Sequence, residues 1–238
     1  MKDLIDIHMH TIASGHAYST IREMFTAARA RGIRLAGIAD HAPYMPGAPQ
    51  KMYFCNFKVV RQADYGLEAI MGAELNILDY SGSIDLSEKI LCKLDYAIAS
   101  LHELCISPGT KEQNTAALTG AMRNPRVTVI GHPDNGRYPV NFETLVQTAK
   151  ETHTLLEINN SSYANNTGRP GSRENARIML QYCKQYAVPV LMSSDAHVDS
   201  DAGNHSEVYS ILQEADFPES LVINTNLEKF KTYLYKSE

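Results

Sequence analysis

LIDIHMHTIASGHAYST, residues Leu4 to Thr20, decides how the rest of the chain is read. Its first half has the apolar, β-branched look of a buried strand. Asp6, His8 and His10 then fall at every second position, so an extended backbone points all three the same way. With a rise of about 3.3 Å per residue, the two histidine Cα atoms lie about 6.6 Å apart, a gap that convergent imidazoles close onto one metal ion. His16 follows after a short glycine-containing loop. One histidine at a strand end is ordinarily a hydrogen-bonded core or surface residue. Three within nine residues, two of them at strand spacing, point instead to a metal site whose other ligands come from elsewhere in the chain.

Outward from this segment the sequence repeats one pattern. Ser19 or Thr20 caps a helix through Ile21, Met24, Phe25 and Ala28 that Gly32 stops, and a short apolar strand (Leu35–Ala39) then ends in Asp40 and His41. A long proline- and aromatic-containing loop, 42–57, crosses one end of the domain. Strands are expected within 68–77, carrying Glu74, at 96–101 before His102, at 127–131 before His132, at 155–159 (LLEIN), and at 188–194 before Asp195 and His197. Helices are expected at 111–122, 142–152, 172–186, 205–215 and 227–235, with a short apolar run at 221–223. Seven strands alternating with helices predict parallel pairing through right-handed crossovers. Polar residues stand at the C-terminal ends of nearly all of them. A barrel gathers those ends around one mouth, whereas an open sheet spreads them, so the reading is a distorted (βα)7 TIM-like barrel. No linker divides residues 1–238, which are read as one domain.

Composition narrows the function. The 238 residues are 44% hydrophobic and 21% charged, with a formal net charge of −5 and no Lys/Arg run, which argues against a nucleic-acid partner. There is no signal-type segment and no run of 18 apolar residues, so a cytoplasmic protein without a membrane partner is expected. Cys55, Cys92, Cys105 and Cys183 form no CxxC pair and read as reduced, partly buried small residues. Neither a GxSxG elbow nor a phosphate-binding GxxxxGK[ST] loop is present.

The strand ends together offer His8, His10, His16, His41, Glu74, His102, His132, Asp195 and His197 as metal ligands, including seven of the nine histidines. Nine ligands exceed the needs of one catalytic zinc, and three divalent ions fit the number. The imidazole-rich set suits Zn²⁺, with Mn²⁺ or iron compatible with its oxygen ligands. Asp6 and Asp40 are expected to orient imidazoles, and Asp40 alternatively caps a loop. Arg169 and Arg173, in the loop after the sixth strand, are candidates for gripping a substrate phosphate as planar forks. His153 and His205 read as ordinary surface residues.

The stretches DIHMH, HAYST, ADH, GAE, LHE, GHP, LEINNSS and SDAH resemble the PHP (polymerase and histidinol phosphatase) family, and within it the YcdX-type phosphatases. The resemblance implies three metals at the barrel mouth: one on His8, His10, Glu74 and Asp195, a second on Glu74, His102 and His132, and a third on His16, His41 and His197. It further implies a phosphatase in which two ions bridged by Glu74 generate hydroxide from a shared water while the third screens phosphate oxygens. Glu74, Asp195 and His197 are the residues expected to carry catalysis, and a small phosphorylated metabolite is the expected substrate. A nucleotide phosphodiesterase or exonuclease using the same metals, or a non-catalytic metal-dependent regulatory module, remain the alternatives at this level.

Overall fold

The structure, a computed structural model, describes residues 1–164 and 169–234; Tyr235, the last residue of the expected final helix, falls outside them. All seven expected strands form one sheet in chain order: β1 (Ile5–Asp6), β2 (Leu35–Ile38), β3 (Glu68–Asn76), β4 (Tyr96–Ser100), β5 (Val129–Ile130), β6 (Leu155–Asn159) and β7 (Val190–Ser193). Each pairs in parallel with the next. Between β1 and β7 the ring nearly closes. Met9 bridges to Ala196 in parallel, and the His10 N–H donates to the Ala196 carbonyl at 2.8 Å. Lower in the same seam the 221–223 run takes the place of an eighth strand. Val222 bridges to Val190, while the Asn224 side chain accepts from Met192 N–H at 2.8 Å and donates to the Ile5 carbonyl at 2.7 Å. A single amide thus satisfies backbone groups that a missing strand would leave bare.

The helices lie where periodicity placed them. α1 (Ile21–Ala30) starts at Thr20 with a reciprocal capping box to Glu23. The long loop after β2 carries a short helix, α2 (Lys51–Cys55), that buries Phe54, and α3 (Glu88–Leu91) connects β3 to β4. α4 (Lys111–Met122), α5 (Phe142–Thr152) and α6 (Ser172–Tyr186) pack along the outside. α7 (Ser206–Glu214) is capped by His205 rather than containing it, and α8 (Leu227–Leu234) follows the Asn224 seam. No described helix is long and apolar enough to cross a membrane. All four cysteines are free; Cys183 is buried, Cys55 and Cys105 are partly so, and Cys92 departs from expectation by lying exposed.

Two apolar layers result. The larger lies between strands and helices, and the smaller fills the barrel with Ile5, Ile7, Leu35, Ile70, Ile98, Val129, Leu155 and Leu191. Phe230 and Tyr233 of α8 join the inner layer, and Lys231 pairs with Glu68 at the start of β3, so α8 closes the N-terminal end. Tyr96 crosses the interior and donates its hydroxyl to the Ile7 carbonyl at 2.6 Å. Gly37 and Gly72 make room for its ring, since a Cβ at either would come within 2.4 and 2.6 Å of it. Moving toward the C-terminal ends, inward positions change from apolar to polar: Ile70–Gly72–Glu74, Leu155–Glu157–Asn159, Leu191–Ser193–Asp195. That gradient gives the barrel an apolar floor and a charged mouth.

Candidate metal centre

Strand pairing in β1 stops at Asp6, before the histidines. His8 and His10 therefore enter the mouth from a loop-like continuation, and Asp6 does not share their direction. Its carboxylate accepts from the Ser194 hydroxyl at 2.6 Å and the Gly203 N–H at 2.8 Å, and lies 3.7 Å from His205 Nε2. It anchors the loop after β7 instead of orienting a clustered imidazole, because a buried carboxylate is drawn to the nearest unpaired donors.

Glu74 stands at the centre of the mouth. Its Oε1 lies 3.4 Å from His8 Nε2, 3.2 Å from His102 Nε2 and 3.1 Å from His132 Nε2; its Oε2 lies 3.6 Å from His10 Nε2 and 2.8 Å from His41 Nδ1. Asp195 Oδ1 approaches His10 Nε2 at 3.2 Å and His8 Nε2 at 3.6 Å. His16 and His197 face one another, Nε2 to Nε2, at 3.2 Å. All nine residues named from the strand ends are thus gathered in one place. Three overlapping sets have ligand atoms within 4.8 Å of one another: His8, His10 and Glu74; His41, Glu74 and His102; His10, His41 and His197. The first coincides with part of the grouping implied by resemblance. The third joins His41 and His197, as the resemblance also implies; the His41 ring stacks 4.9 Å from that of His16, and its Nδ1 in addition reaches Glu74.

The residues behind the cluster decide which imidazole nitrogen faces it. His8 Nδ1 meets Glu157 at 2.5 Å, His102 Nδ1 meets Asn76 Oδ1 at 2.8 Å, and His197 Nδ1 meets the Asp195 carbonyl at 3.0 Å. His10 Nδ1 meets the Ser14 hydroxyl at 3.2 Å, which donates to Asp40 at 2.7 Å; Asp40 also takes the Thr11 N–H and the Tyr53 hydroxyl. Asp40 thus orients an imidazole through Ser14, and does so while holding the first loop in place. With Nδ1 engaged from behind, each ring turns Nε2 inward, the nitrogen that would meet a metal ion.

Two observations test whether a cation fits. His8 Nε2, His10 Nε2, His41 Nδ1 and Glu74 Oε2 are all buried polar atoms without a hydrogen-bond partner, and they converge on one space. Four such orphans together cost several kcal/mol unless something satisfies them, and imidazole nitrogens converging on a carboxylate suit a cation. Electrostatics divide the imidazoles: against burial, Glu157, Glu74 and Asp195 raise His8 well above an ordinary histidine, so a metal there would displace its proton. Burial works to raise Glu74, yet His102, His8 and His41 hold it well below the usual carboxylate range, and Asp195 is likewise held down against burial by His8 and Arg169. Burial, His41 and His197 push His10 well below an ordinary histidine, and burial with Arg169 lowers His132 to about 4. Both are therefore neutral imidazoles at neutral pH. His132 and Asp195 also hold positive φ (29° and 53°), strain that locates in the site itself.

Arg169 reaches the same mouth. It donates to Asp195 at 2.8 Å, Ser162 at 3.0 Å and Asn159 at 3.2 Å, so it braces a cluster carboxylate. Arg173 does not reach it: its guanidinium pairs with Glu214 at 2.6 Å and Glu207 at 3.2 Å, tying α6 to α7. His205 departs from the surface reading. It is buried between Asp3 and Asp6 and raised to about 10 by those carboxylates against burial. His153 ends α5 and stacks on Tyr233 with ring centroids 3.8 Å apart. Glu157 escaped sequence reading, although a carboxylate inside the apolar strand LLEIN was the available signal, since charges are seldom buried unless paired. Above the cluster opens a cavity of about 780 Å³ lined by His16, His41, His102, His132, His197, Asp195, Arg169, Asn135, Ser161, Met45, Pro46, Leu101, Glu103 and Leu104.

A parallel barrel with histidines and carboxylates massed at its C-terminal mouth defines a barrel with candidate metal-binding clusters at the end where active sites of this architecture lie. The chain belongs to the PHP domain family, whose model matches residues 6–224. It is 46% identical over 234 residues to a probable phosphatase of Clostridium novyi, an alignment covering 98% of this chain and 95% of that protein. It is 42% identical over 238 residues to a probable phosphatase of Acetivibrio thermocellus, covering 100% and 98% of the two. In fold it is similar to histidinol phosphate phosphatase of Lactococcus lactis, solved with zinc, L-histidinol and phosphate, with a TM-score of 0.63 at 16% identity over 91% of this chain and 95% of that one.

Proposed function

We propose that the chain is a metal-dependent phosphoric monoester hydrolase acting on a small phosphorylated metabolite, and that residues 1–238 form one catalytic domain. The observation that carries this reading is the convergence of orphaned imidazole nitrogens and Glu74 Oε2 beneath a cavity that also presents Arg169. The hydrolase class is supported by relatives sharing nearly the whole chain length. We assign the ligands of three divalent ions to His8, His10, His16, His41, Glu74, His102, His132, Asp195 and His197, with Zn²⁺ best suited to so many imidazoles. Divalent ions there supply an activated water and charge neutralisation for a phosphoryl group.

The chain's own groups do the rest. Glu74 faces all five of its imidazole neighbours with both oxygens and sets the negative charge they share. Asp195 couples the His8 and His10 side of the cluster to Arg169. His197 stands at the outer rim, half-buried and beside His16. Arg169, positioned by Ser162 and Asn159, offers the guanidinium edge that recognises a phosphate. The described lining holds no Phe, Tyr or Trp on which a nucleobase would stack, which favours a monoester over a polynucleotide. Protein purified without chelator and analysed by mass spectrometry is expected to carry close to three divalent ions per chain and to hydrolyse monoesters far faster than diesters. A count near one with full activity, or equal turnover of a diester, overturns the proposal.

A further inference from the structure

The two sides of the mouth differ in chemistry. Loops after β5, β6 and β7 contribute Asn135, Ser161, Arg169, Asp195 and His197 to the cavity. The loops after β2 and β4 contribute His41, His102 and Glu103 and, beside them, an apolar strip of Met45, Pro46, Leu101 and Leu104. Met45 and Leu101 are nearly buried and form the wall, whereas Leu104 at the lip is 69% exposed, a large apolar side chain left open to water. Lysine and arginine are sparse around the cavity. Arg169 is the one Lys or Arg among the described lining residues, and Glu103, beside Leu104, pairs with Arg137 at 3.0 Å.

We infer, resting on the phosphatase reading above, that the pocket selects phosphate esters of uncharged alcohols with an apolar face, such as an aromatic ring, over polyol phosphates and over esters with a second anionic group. A phosphate held at the cluster and against Arg169 occupies the one Lys or Arg among the described lining residues, so a second anion is left without a guanidinium or ammonium partner there and meets Glu103 instead. The alcohol portion extends upward along the strip of Met45, Pro46, Leu101 and Leu104, where apolar surface gains from leaving water and a hydroxyl laid on the same four side chains loses water without a partner. Exposed Leu104 is then the lid edge of a leaving-group subsite.

The test compares kcat/KM for 2-phenylethyl phosphate, glycerol 3-phosphate and 3-phosphoglycerate. All three release a primary alcohol, so leaving-group basicity is similar and binding decides. The parent protein is expected to favour 2-phenylethyl phosphate over glycerol 3-phosphate by about tenfold or more, and to disfavour 3-phosphoglycerate relative to glycerol 3-phosphate by a similar factor. Leu104→Ser is expected to reduce the phenylethyl-to-glycerol ratio about fivefold, while Leu104→Met preserves it. A parent ratio near one, equal use of 3-phosphoglycerate, or an unchanged ratio in Leu104→Ser overturns the inference while leaving the phosphatase reading intact. Release of no phosphate from any of the three overturns the phosphatase reading, and the inference falls with it.

Discussion

Replacing Glu157 with Gln probes the support of the cluster without touching a proposed metal ligand. In the barrel interior Glu157 Oε1 meets His8 Nδ1 at 2.5 Å and the Ser193 hydroxyl, and Oε2 accepts from the His132 N–H at 2.6 Å and Asn159 Nδ2 at 3.0 Å. Burial works to raise this carboxyl, but His8 overcomes it and keeps it ionised. Four donors surround two oxygens, so an amide nitrogen on either side faces a donor whichever way it is flipped. Hydrogen bonds to charged groups contribute about 1.5–3 kcal/mol each, and losing one or two here lowers the stability of the metal-free chain by about 3 kcal/mol. The larger effect is on His8, whose Nε2 is no longer held toward the cluster, and on His132, whose backbone is tethered by the same carboxylate. Removal of such a support weakens metal binding about 10–100-fold. Competition titration against a chromophoric chelator measures that affinity, and kcat/KM at saturating metal measures the remaining damage. A folded Glu157→Gln protein that binds metal within twofold of the parent refutes the assignment of Glu157 as the group orienting His8.

Glu74→Gln removes the charge shared by five imidazoles, and turnover is expected to fall at least about a hundredfold together with loss of bound metal, read by phosphate release and mass-spectrometric metal content under identical metal supply. Arg169→Lys retains charge but loses the fork that spans Asp195, Asn159 and Ser162; KM is expected to rise about tenfold with a smaller fall in kcat, because Asp195 loses its brace as well. His205 is raised in the folded chain to about 10 from an ordinary 6.5, so its stabilisation is complete below about pH 6.5 and is lost as pH rises through 10. Denaturant melts of His205→Asn are therefore expected to show a deficit of about 3 kcal/mol at pH 6 that closes toward pH 10, and a deficit independent of pH would contradict the ion pair with Asp3 and Asp6. Exhaustive chelation is expected to lower the melting temperature of the parent, since ions that bind the folded chain alone stabilise it by mass action; an unchanged Tm would argue that the orphaned atoms hold no ion.

Strand order and the identity of the gathered residues were legible in the sequence because both follow from local chemistry. Apolar runs ending in His41, Glu74, His102, His132, Asp195 and His197 repeat at crossover spacing, and parallel pairing of such units leaves all those ends on one side. Three things were decided by tertiary structure. The direction of Asp6 depended on where β1 stopped pairing, a property of its neighbours β2 and β7 that alternation within one segment cannot report. The fates of Arg169 and Arg173, four residues apart, diverged because one faces the Asp195 carboxylate across the mouth while Glu207 and Glu214 on α7 capture the other. The buried roles of Glu157 and His205 rest on partners 149 and 202 residues away in the chain, His8 and Asp3. A side chain's charge state and orientation are set by the groups packed around it, and those groups are brought together only when the ring of strands closes.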